Sequence, residues 1–262
     1  MAKNDDLTFS FLADDEIDPT ALELDFDLAD FQLIDPGDFV AGEEQEHILQ
    51  PKIDKRILKK SVDFTNARAF ARQLDPEART FAWVSGSFVF GDIVEALMAE
   101  CGTDIKTLYA SSLGVSVENI DSFRNCLEFG FIERFVLVLS GWFYSHERSN
   151  LVPYVYEQLD GCRNADGRQV DTQIVFGNYH AKIIAYETWE RKTMTMHGSA
   201  NLRTAQCVEQ IMCDPDPELY EFNRGIFENI AANFGTINPR VPGKIKPFHG
   251  KRGFEALRPP AH

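Results

Sequence analysis

The amino-acid sequence predicts an α/β domain with a mixed, largely parallel sheet that is covered by helices on both faces. Two observations support this prediction. From residue 79 onward, short apolar runs that end at Gly or Ser alternate with longer segments whose apolar residues recur at helical spacing. One run, 135–140, is apolar until its final serine, a pattern typical of a strand buried on both faces of a sheet. In such sheets the functional groups gather at the carboxyl ends of the strands.

Local signals place the elements in order. Asp92 can cap a helix that ends before Gly102, and the polar segment 188–192 can turn the chain between two strands to form a hairpin. The predicted strands cover residues 81–85, 107–112, 135–140, 173–176, 180–187, 193–197 and 207–213, and the predicted helices cover 92–99, 117–129, 151–159 and 217–234. Four side chains that follow strands are expected to line the carboxyl edge of the sheet: Ser85, Ser112, Ser140 and Trp142.

Charge divides the chain into four parts. Residues 1–50 contain 15 acidic residues and one lysine, a net charge of −14 within a total of −15. Their mixture of acidic and apolar residues predicts a disordered acidic arm that binds a partner protein, lies in a basic cleft of its own chain, or serves as a solubilising tail. Residues 51–78 are predicted to form a basic linker helix, 79–235 the folded domain, and 236–262 a basic tail that follows a phosphate backbone or remains solvated.

Composition excludes several classes of protein. No stretch approaches the roughly 18 to 20 apolar residues that cross a membrane, and the amino end is acidic rather than a signal sequence. A cytoplasmic protein that does not bind membrane is therefore expected. The five cysteines show no Cys-x-x-Cys spacing, which indicates neither a disulfide framework nor a zinc site. No cofactor or metal is predicted.

The residues that carry chemistry lie in one stretch of the chain. His180 and Lys182 are two positions apart on a predicted strand, so their side chains should point to the same side. A neutral imidazole can act as a nucleophile or proton carrier near neutral pH, and an ammonium beside it can hold an anion for attack. The predicted hairpin brings Gly198, Ser199 and Asn201 beside them, which favours a site for a phosphate group.

This pattern resembles the signature of the phospholipase D superfamily, His-x-Lys-x4-Asp followed by Gly-Ser/Gly-x-Asn, with Glu187 in place of the aspartate. The resemblance covers about residues 79–235 and implies a phospholipase D-like fold. It also implies that His180 is a nucleophile that forms a phosphohistidine, that Lys182 and Asn201 bind phosphoryl oxygens, and that no metal is needed.

The same resemblance gives other residues of the stretch supporting roles. Glu209 matches an acidic residue that hydrogen-bonds the histidine, which fixes its tautomer and stabilises imidazolium. Glu187 stands at the position of the motif aspartate and is therefore counted with the catalytic residues. Its main expected role is to support the hairpin. Gly198, Ser199 and Arg203 are expected to bind substrate.

The site of this superfamily needs two histidines, one as nucleophile and one as proton donor, whereas this chain contains one motif. His197 is interpreted as structural. A second His-x-Lys, at His249 and Lys251, lacks the following acid and Gly-Ser pattern and is interpreted as part of the basic tail. A symmetric homodimer would supply the second histidine.

The function expected from these residues is a metal-independent, nuclease-like phosphodiesterase that acts on nucleic acid at a site shared across a homodimer. The alternative is a nucleic-acid-binding or assembly protein whose phospholipase D-like domain is weakly active or inactive, as Glu187 and the acidic arm would allow. A lipid-cleaving enzyme is the third alternative, but no amphipathic surface helix is visible in the sequence.

Overall fold

The structure of the protein is a computed structural model that describes residues 57–59, 67–84, 89–177, 179–203 and 208–233. The strands among these residues form one sheet, and helices pack against it. The strands are β1 (Ile57–Lys59), β2 (Arg79–Val84), β3 (Ile105–Ser112), β4 (Arg134–Ser140), β5 (Asp171–Gly177), β6 (Ile183–Thr188), β7 (Thr193–Gly198) and β8 (Glu209–Asp214). The helices are α1 (Ala67–Ala71), α2 (Asp92–Cys101), α3 (Val117–Phe129), α4 (Gly141–Glu147), α5 (Leu151–Leu159) and α6 (Pro217–Asn233).

The strands form one mixed sheet in the order β1-β2-β8-β7-β6-β3-β4-β5. Neighbouring strands are parallel in three pairs, β1 with β2, β3 with β4 and β4 with β5. The four pairs that lead from β2 through β8, β7 and β6 to β3 are antiparallel. The predicted mixed α/β sheet is therefore confirmed, but the expectation that it is largely parallel is wrong. The cause is the β6–β7 hairpin with β8, which inserts antiparallel strands between the two parallel groups.

Helices cover both faces of the sheet, as predicted. On the first face, α1 to α5 bury one large core with alternate strand residues such as Leu108 and Leu137. On the second face, α6 buries a smaller core in which Tyr220 and Phe227 pack on Tyr109. Burial of each large apolar side chain contributes roughly 1.5–3 kcal/mol, so both cores stabilise the strand ends that carry the site.

The helix predictions succeed best where the periodicity is strongest. Both α3 and α5 have the predicted bounds. Helix α2 starts at Asp92 and ends before Gly102, as predicted, and the φ of 65° at Gly102 lies in the left-handed region. The predicted cap is wrong, because Gly91 is the N-cap and the Asp92 carboxylate accepts a hydrogen bond from the Ser122 hydroxyl on α3 instead.

Two other predicted elements differ from the structure. In place of one linker helix over 51–78, the described part of that range holds β1, which extends the sheet beside β2, and the five-residue α1, whose Phe70 is buried. The predicted strand 180–187 begins only at Ile183, because its partner β3 pairs with it no further than Ser111. The residues just before Ile183 therefore lie in a loop at the sheet edge.

Several predictions lie outside the described residues. The acidic arm 1–50, the basic tail 236–262 and Ser85 are among them, and their roles stay predictions. The division of the whole chain into four parts likewise stays a prediction. Within the part of the chain that the structure describes, no helix has the length and apolar character needed to cross a membrane.

Candidate functional site

The candidate site lies at the sheet edge where the parallel strands β3, β4 and β5 end. The antiparallel strands bring the start of β6, the end of β7 and the start of β8 to the same edge, because Ser111 pairs with Ile183, Ile183 with His197, and Gly198 with Ile211. All but one of the predicted site residues lie on or beside these strand ends. The prediction of a site at the carboxyl edge thus agrees with the topology.

His180 and Lys182 are brought together, as predicted. The imidazole is exposed, and its Nδ1 lies 3.1 Å from Nζ of Lys182. The same ammonium donates to the carbonyl oxygen of His180 at 3.0 Å. The contact arises from a loop in which the lysine side chain folds back, rather than from alternation along a strand. While the ammonium donates to Nδ1, the proton of a neutral ring resides on Nε2.

Glu209 lies near this pair but bonds to another residue. Burial lowers the pKa of Lys182, and the Glu209 carboxylate partly offsets this effect by favouring the ammonium. The Oε2 atom of Glu209 accepts a hydrogen bond from the Ser199 hydroxyl. The predicted hydrogen bond between Glu209 and His180 is therefore not formed in this arrangement, because Lys182 faces Nδ1 and Ser199 holds the carboxylate.

Gly198 allows β7 and β8 to approach closely at the site. A Cβ atom at this position would lie 1.9 Å from the carbonyl oxygen of Gln210, far inside van der Waals contact. The glycine lets the Ser199 amide donate to that oxygen at 3.1 Å, while the Gln210 amide donates to Ser199 Oγ at 3.0 Å. The glycine directly before Ser199 thus has a structural role, because it positions the serine hydroxyl beside Glu209.

Asn201 is half-buried beside the end of β3. Its Oδ1 lies 3.4 Å from the hydroxyl of Ser112. That hydroxyl donates its one proton to the carbonyl oxygen of Gly114 at 2.7 Å and accepts from the amide of Leu202 at 2.9 Å, which holds the chain around Asn201. The Nδ2 of Asn201 has no acceptor among the described residues, and an amide donor at this edge suits a phosphoryl oxygen.

Arg203 extends the edge toward α4. Its guanidinium carbon lies 5.8 Å from the ring centre of Trp142, and Nη2 lies 3.4 Å from a carboxylate oxygen of Glu147. The guanidinium has donors beyond this single long contact, and its side chain is 38% exposed. Arg203 can therefore also bind an anion at the edge, and its role in substrate binding stays a prediction. Ser140, another predicted edge residue, caps α4 by accepting from the Phe143 amide.

Glu187 lies apart from these residues. It is near the other end of β6, five residues beyond Lys182 and so roughly 16 Å away along an extended strand. Its carboxylate accepts a hydrogen bond from Arg191 in the hairpin turn at 2.9 Å. The structure thus separates Glu187 from the catalytic group in which the sequence motif placed it. Its contact with the turn fits the predicted support of the hairpin.

His146 is a histidine at the site edge that sequence reasoning missed. It lies exposed on α4, which begins directly after β4, and its ring stacks on Trp142 with the ring centres 4.3 Å apart. Its Nδ1 lies 2.8 Å from the carbonyl oxygen of Trp142. Because a carbonyl oxygen only accepts, this contact puts a proton on Nδ1 and leaves Nε2 available to a ligand. The sequence signal is a Trp and a His four residues apart, just after a buried strand.

His197 has the structural character that the sequence predicts. It lies on β7 with its side chain toward the second face, because its neighbour Met196 belongs to the first core. Burial lowers its pKa, and the positive charge of Arg79 acts in the same direction, whereas Asp214 opposes them. A half-buried, neutral imidazole of this kind packs as part of the sheet.

The groups gathered at the edge define what the site can do. They are an imidazole, an ammonium, a carboxylate, an amide and a guanidinium, a set that can hold a phosphate anion and attack its phosphorus. Among residues 67–84, 89–177, 179–203 and 208–233, no cluster of three or more His, Cys, Asp or Glu side chains is arranged to hold a metal ion.

Comparison with known proteins gives partial likenesses only. The sequence matches no known family model, and no curated protein matches it. Among solved structures, yeast tyrosyl-DNA phosphodiesterase is 10% identical with a TM-score of 0.33, and the match covers 53% of this chain and 32% of that chain. A polyphosphate kinase from Porphyromonas gingivalis is 14% identical with a TM-score of 0.37, and the match covers 69% of this chain and 28% of that chain. The chain thus aligns with less than a third of either structure's length.

Proposed function

We propose that the protein is a metal-independent phosphodiesterase of the phospholipase D type, nuclease-like, which acts through a phosphohistidine on His180. The observation that carries the proposal is the contact between the exposed His180 imidazole and Lys182, beside Glu209 and Ser199. A nucleophile, a cation and a carboxylate in one cluster are the groups that such a reaction needs.

In the proposed reaction, Lys182 and Asn201 hold the phosphoryl oxygens of the substrate. Once Lys182 turns to the phosphate, the ring proton of His180 can move to Nδ1, against Glu209, and Nε2 can attack. The bond from Nε2 to phosphorus forms while the bond from phosphorus to the leaving oxygen breaks, and a second imidazole donates a proton to that oxygen. Water then gives a proton to the same imidazole and attacks phosphorus, and the nitrogen–phosphorus bond breaks.

Nucleic acid is the proposed substrate. Arg203 and Trp142 provide a cation and an aromatic ring next to the phosphate site, a combination that binds the backbone and the bases of a single strand. The second imidazole is proposed to come from a second copy of the chain, so that one composite site forms across a homodimer.

A second candidate function follows from the contact between Glu209 and Ser199. In this arrangement His180 lacks the carboxylate that would orient it. In a nucleic-acid-binding or assembly protein with weak or no catalysis, Glu209 would stay bonded to Ser199 and would not orient His180. Such a protein would bind a phosphodiester strand and hydrolyse it no faster than its His180→Ala variant.

Hydrolysis of a simple phosphodiester such as bis(p-nitrophenyl) phosphate should continue in excess EDTA. The proposed charge stabilisation comes from Lys182, Asn201 and an imidazole, none of which a chelator removes. The measurement is the initial rate of the dialysed full-length protein with and without EDTA, beside His180→Ala. Loss of activity in the chelator and its recovery with Mg²⁺ or Mn²⁺ would contradict the metal-free mechanism.

The shared site predicts a particular mixing curve. Wild-type and His180→Ala chains, unfolded and re-assembled at varying ratios, should give activity that follows the square of the wild-type fraction, because only dimers with two intact histidines turn over well. A straight line would mean that each chain works alone. In that case His146, whose Nε2 is available at the same edge, would be the first candidate for the proton donor.

A further inference from the structure

The second face of the sheet exposes apolar side chains beside the candidate site. Trp83 on β2 is 51% exposed, and Val208, directly before β8, is 65% exposed. Phe81 and Met212 are partly exposed and directly opposite each other on β2 and β8. The residues Ala82, Val84, Ile211 and Cys213, which alternate with them along the two strands, belong to the first core, so alternation turns the exposed side chains to the second face. Together with Gln210, which pairs with Trp83, these residues form what we call the β2–β8 surface.

This surface continues the second core beyond the helix that covers it. Helix α6 packs mainly against β4, β5, β6 and β7. Met212 lies opposite His197, and His197 lies opposite Ile183, which packs against the core under α6. The row of side chains from Ile183 through His197 to Met212 therefore begins under α6 and ends on the exposed surface. Several exposed large apolar residues in one patch indicate an interaction site rather than ordinary surface.

The β2–β8 surface adjoins the candidate site. Gln210, opposite Trp83, accepts a hydrogen bond from the Ser199 amide with its backbone carbonyl oxygen, and its backbone amide donates to the Ser199 hydroxyl. The next residue of β2, Val84, lies directly opposite Glu209, and by the same alternation both side chains turn to the first face at the end of the two strands. Because neighbouring strands are roughly 5 Å apart, a molecule seated on Trp83 would reach Ser199 directly and Glu209 around the edge of the sheet.

The charge of this surface fits a second copy of the chain better than nucleic acid. Its five residues, Phe81, Trp83, Val208, Gln210 and Met212, carry no charge. On this face of β2 and β8, the cation among the described residues is Arg79, which is held by the buried carboxylate of Asp214 at 2.5 Å, and in β1 Lys59 lies at the register position opposite Phe81, at the border of the surface. A strand of nucleic acid requires a basic surface. Two copies of a chain with a net charge of −15 repel each other least where they meet through a neutral, apolar surface.

We propose that a second copy of this chain docks on the β2–β8 surface through the same surface, about a two-fold axis, and that its imidazole completes the His180 site. The inference rests on the proposed function, in which the second imidazole of the site comes from the partner copy. A two-fold contact is self-complementary, so the apolar side chains of one copy meet those of the other. The same axis turns the adjoining site edges of the two copies toward each other.

The docking surface can be tested separately from catalysis in the full-length His180→Ala protein. In that background, Trp83→Glu should raise the dimer dissociation constant, measured by sedimentation velocity over a concentration series, by at least about 30-fold, as for a central interface aromatic. Gln210→Glu, a change at an exposed position with little risk to folding, should shift it in the same direction by placing like charges opposite each other. Phe129→Glu is the matched control, since Phe129 is 78% exposed at the carboxyl end of α3, away from this surface, and the constant should not change.

The outcomes separate the surface from the activity. Dissociation by Trp83→Glu and Gln210→Glu supports the docking surface whatever the activity of the protein, so an inactive wild type would contradict the proposed function and not this surface. Dimers that persist in both variants overturn the proposal, and so does weaker binding of a single-stranded oligonucleotide with unchanged association. In the active background, a monomeric Trp83→Glu protein with full activity overturns the claim that the partner completes the site.

Discussion

Replacement of His180 by alanine should lower the rate of phosphodiester hydrolysis by on the order of 10⁴-fold or more, because it removes the atom that attacks phosphorus. The side chain is exposed at the sheet edge, so the substitution should leave the fold and its stability unchanged. The measurement is single-turnover hydrolysis beside a circular dichroism melt. A folded His180→Ala protein that retains wild-type turnover would contradict the assigned role.

Glu209 and Glu187 provide a matched pair for the same assay. Glu209→Gln should reduce turnover without abolishing it, because it removes the charge beside Lys182 and His180 and leaves the nucleophile itself. Glu187→Gln should have turnover close to that of the wild type, since Glu187 contacts Arg191 in the hairpin turn, away from the site. Equal losses of turnover in the two variants would contradict the separation of Glu187 from the site.

Replacement of Gly198 by alanine should lower the free energy of unfolding by about 3 kcal/mol, at the upper end for an overpacked site. The new Cβ would lie 1.9 Å from the Gln210 carbonyl oxygen, which is backbone of the adjacent strand and cannot rotate away. Urea denaturation measures the change. Because β7 must move away from β8, the Ser199 hydroxyl should also lose Glu209, and turnover should fall.

Gly225→Ala is the control, in which the free energy of unfolding should change in the opposite direction. Gly225 lies exposed within α6, and a Cβ atom there would meet nothing within 4 Å. Gly225→Ala should therefore raise the free energy of unfolding by about 0.5–1 kcal/mol through helix propensity alone. A Gly198→Ala protein as stable as Gly225→Ala would contradict the close approach of β7 and β8.

The elements that could be predicted from the sequence are those whose own residues determine them. The bounds of α3 and α5 follow from apolar residues at helical spacing, and the apolar run of β4 is buried along nearly its whole length. The hairpin between β6 and β7 also follows from a local signal, a polar turn between two apolar segments. In each case neighbouring side chains and the backbone favour the same structure, so tertiary contacts only add to it.

The other features depend on partners that are distant in the chain. Strand β6 starts at Ile183, where its pairing with β3 ends opposite Ser111, and the residues around His180 do not reveal this end point. The preference of Glu209 for Ser199 depends on how closely β7 approaches β8. The exposure of Trp83 depends on how far α6 reaches across the second face. Local patterns therefore predicted most of the residues that the fold brings to this edge, while their contacts required the assembled sheet.

Direct detection of a covalent intermediate on His180 tests the central claim most directly. Full-length protein mixed with a slow phosphodiester substrate would be quenched in alkaline denaturant, which preserves phosphohistidine, and its peptides analysed by mass spectrometry. The expected result is a phosphoryl or nucleotidyl adduct on the peptide that contains His180, formed during turnover in the presence of EDTA and absent from His180→Ala. Turnover without an adduct on that peptide, or an adduct on the peptide that contains His146, would contradict His180 as the nucleophile.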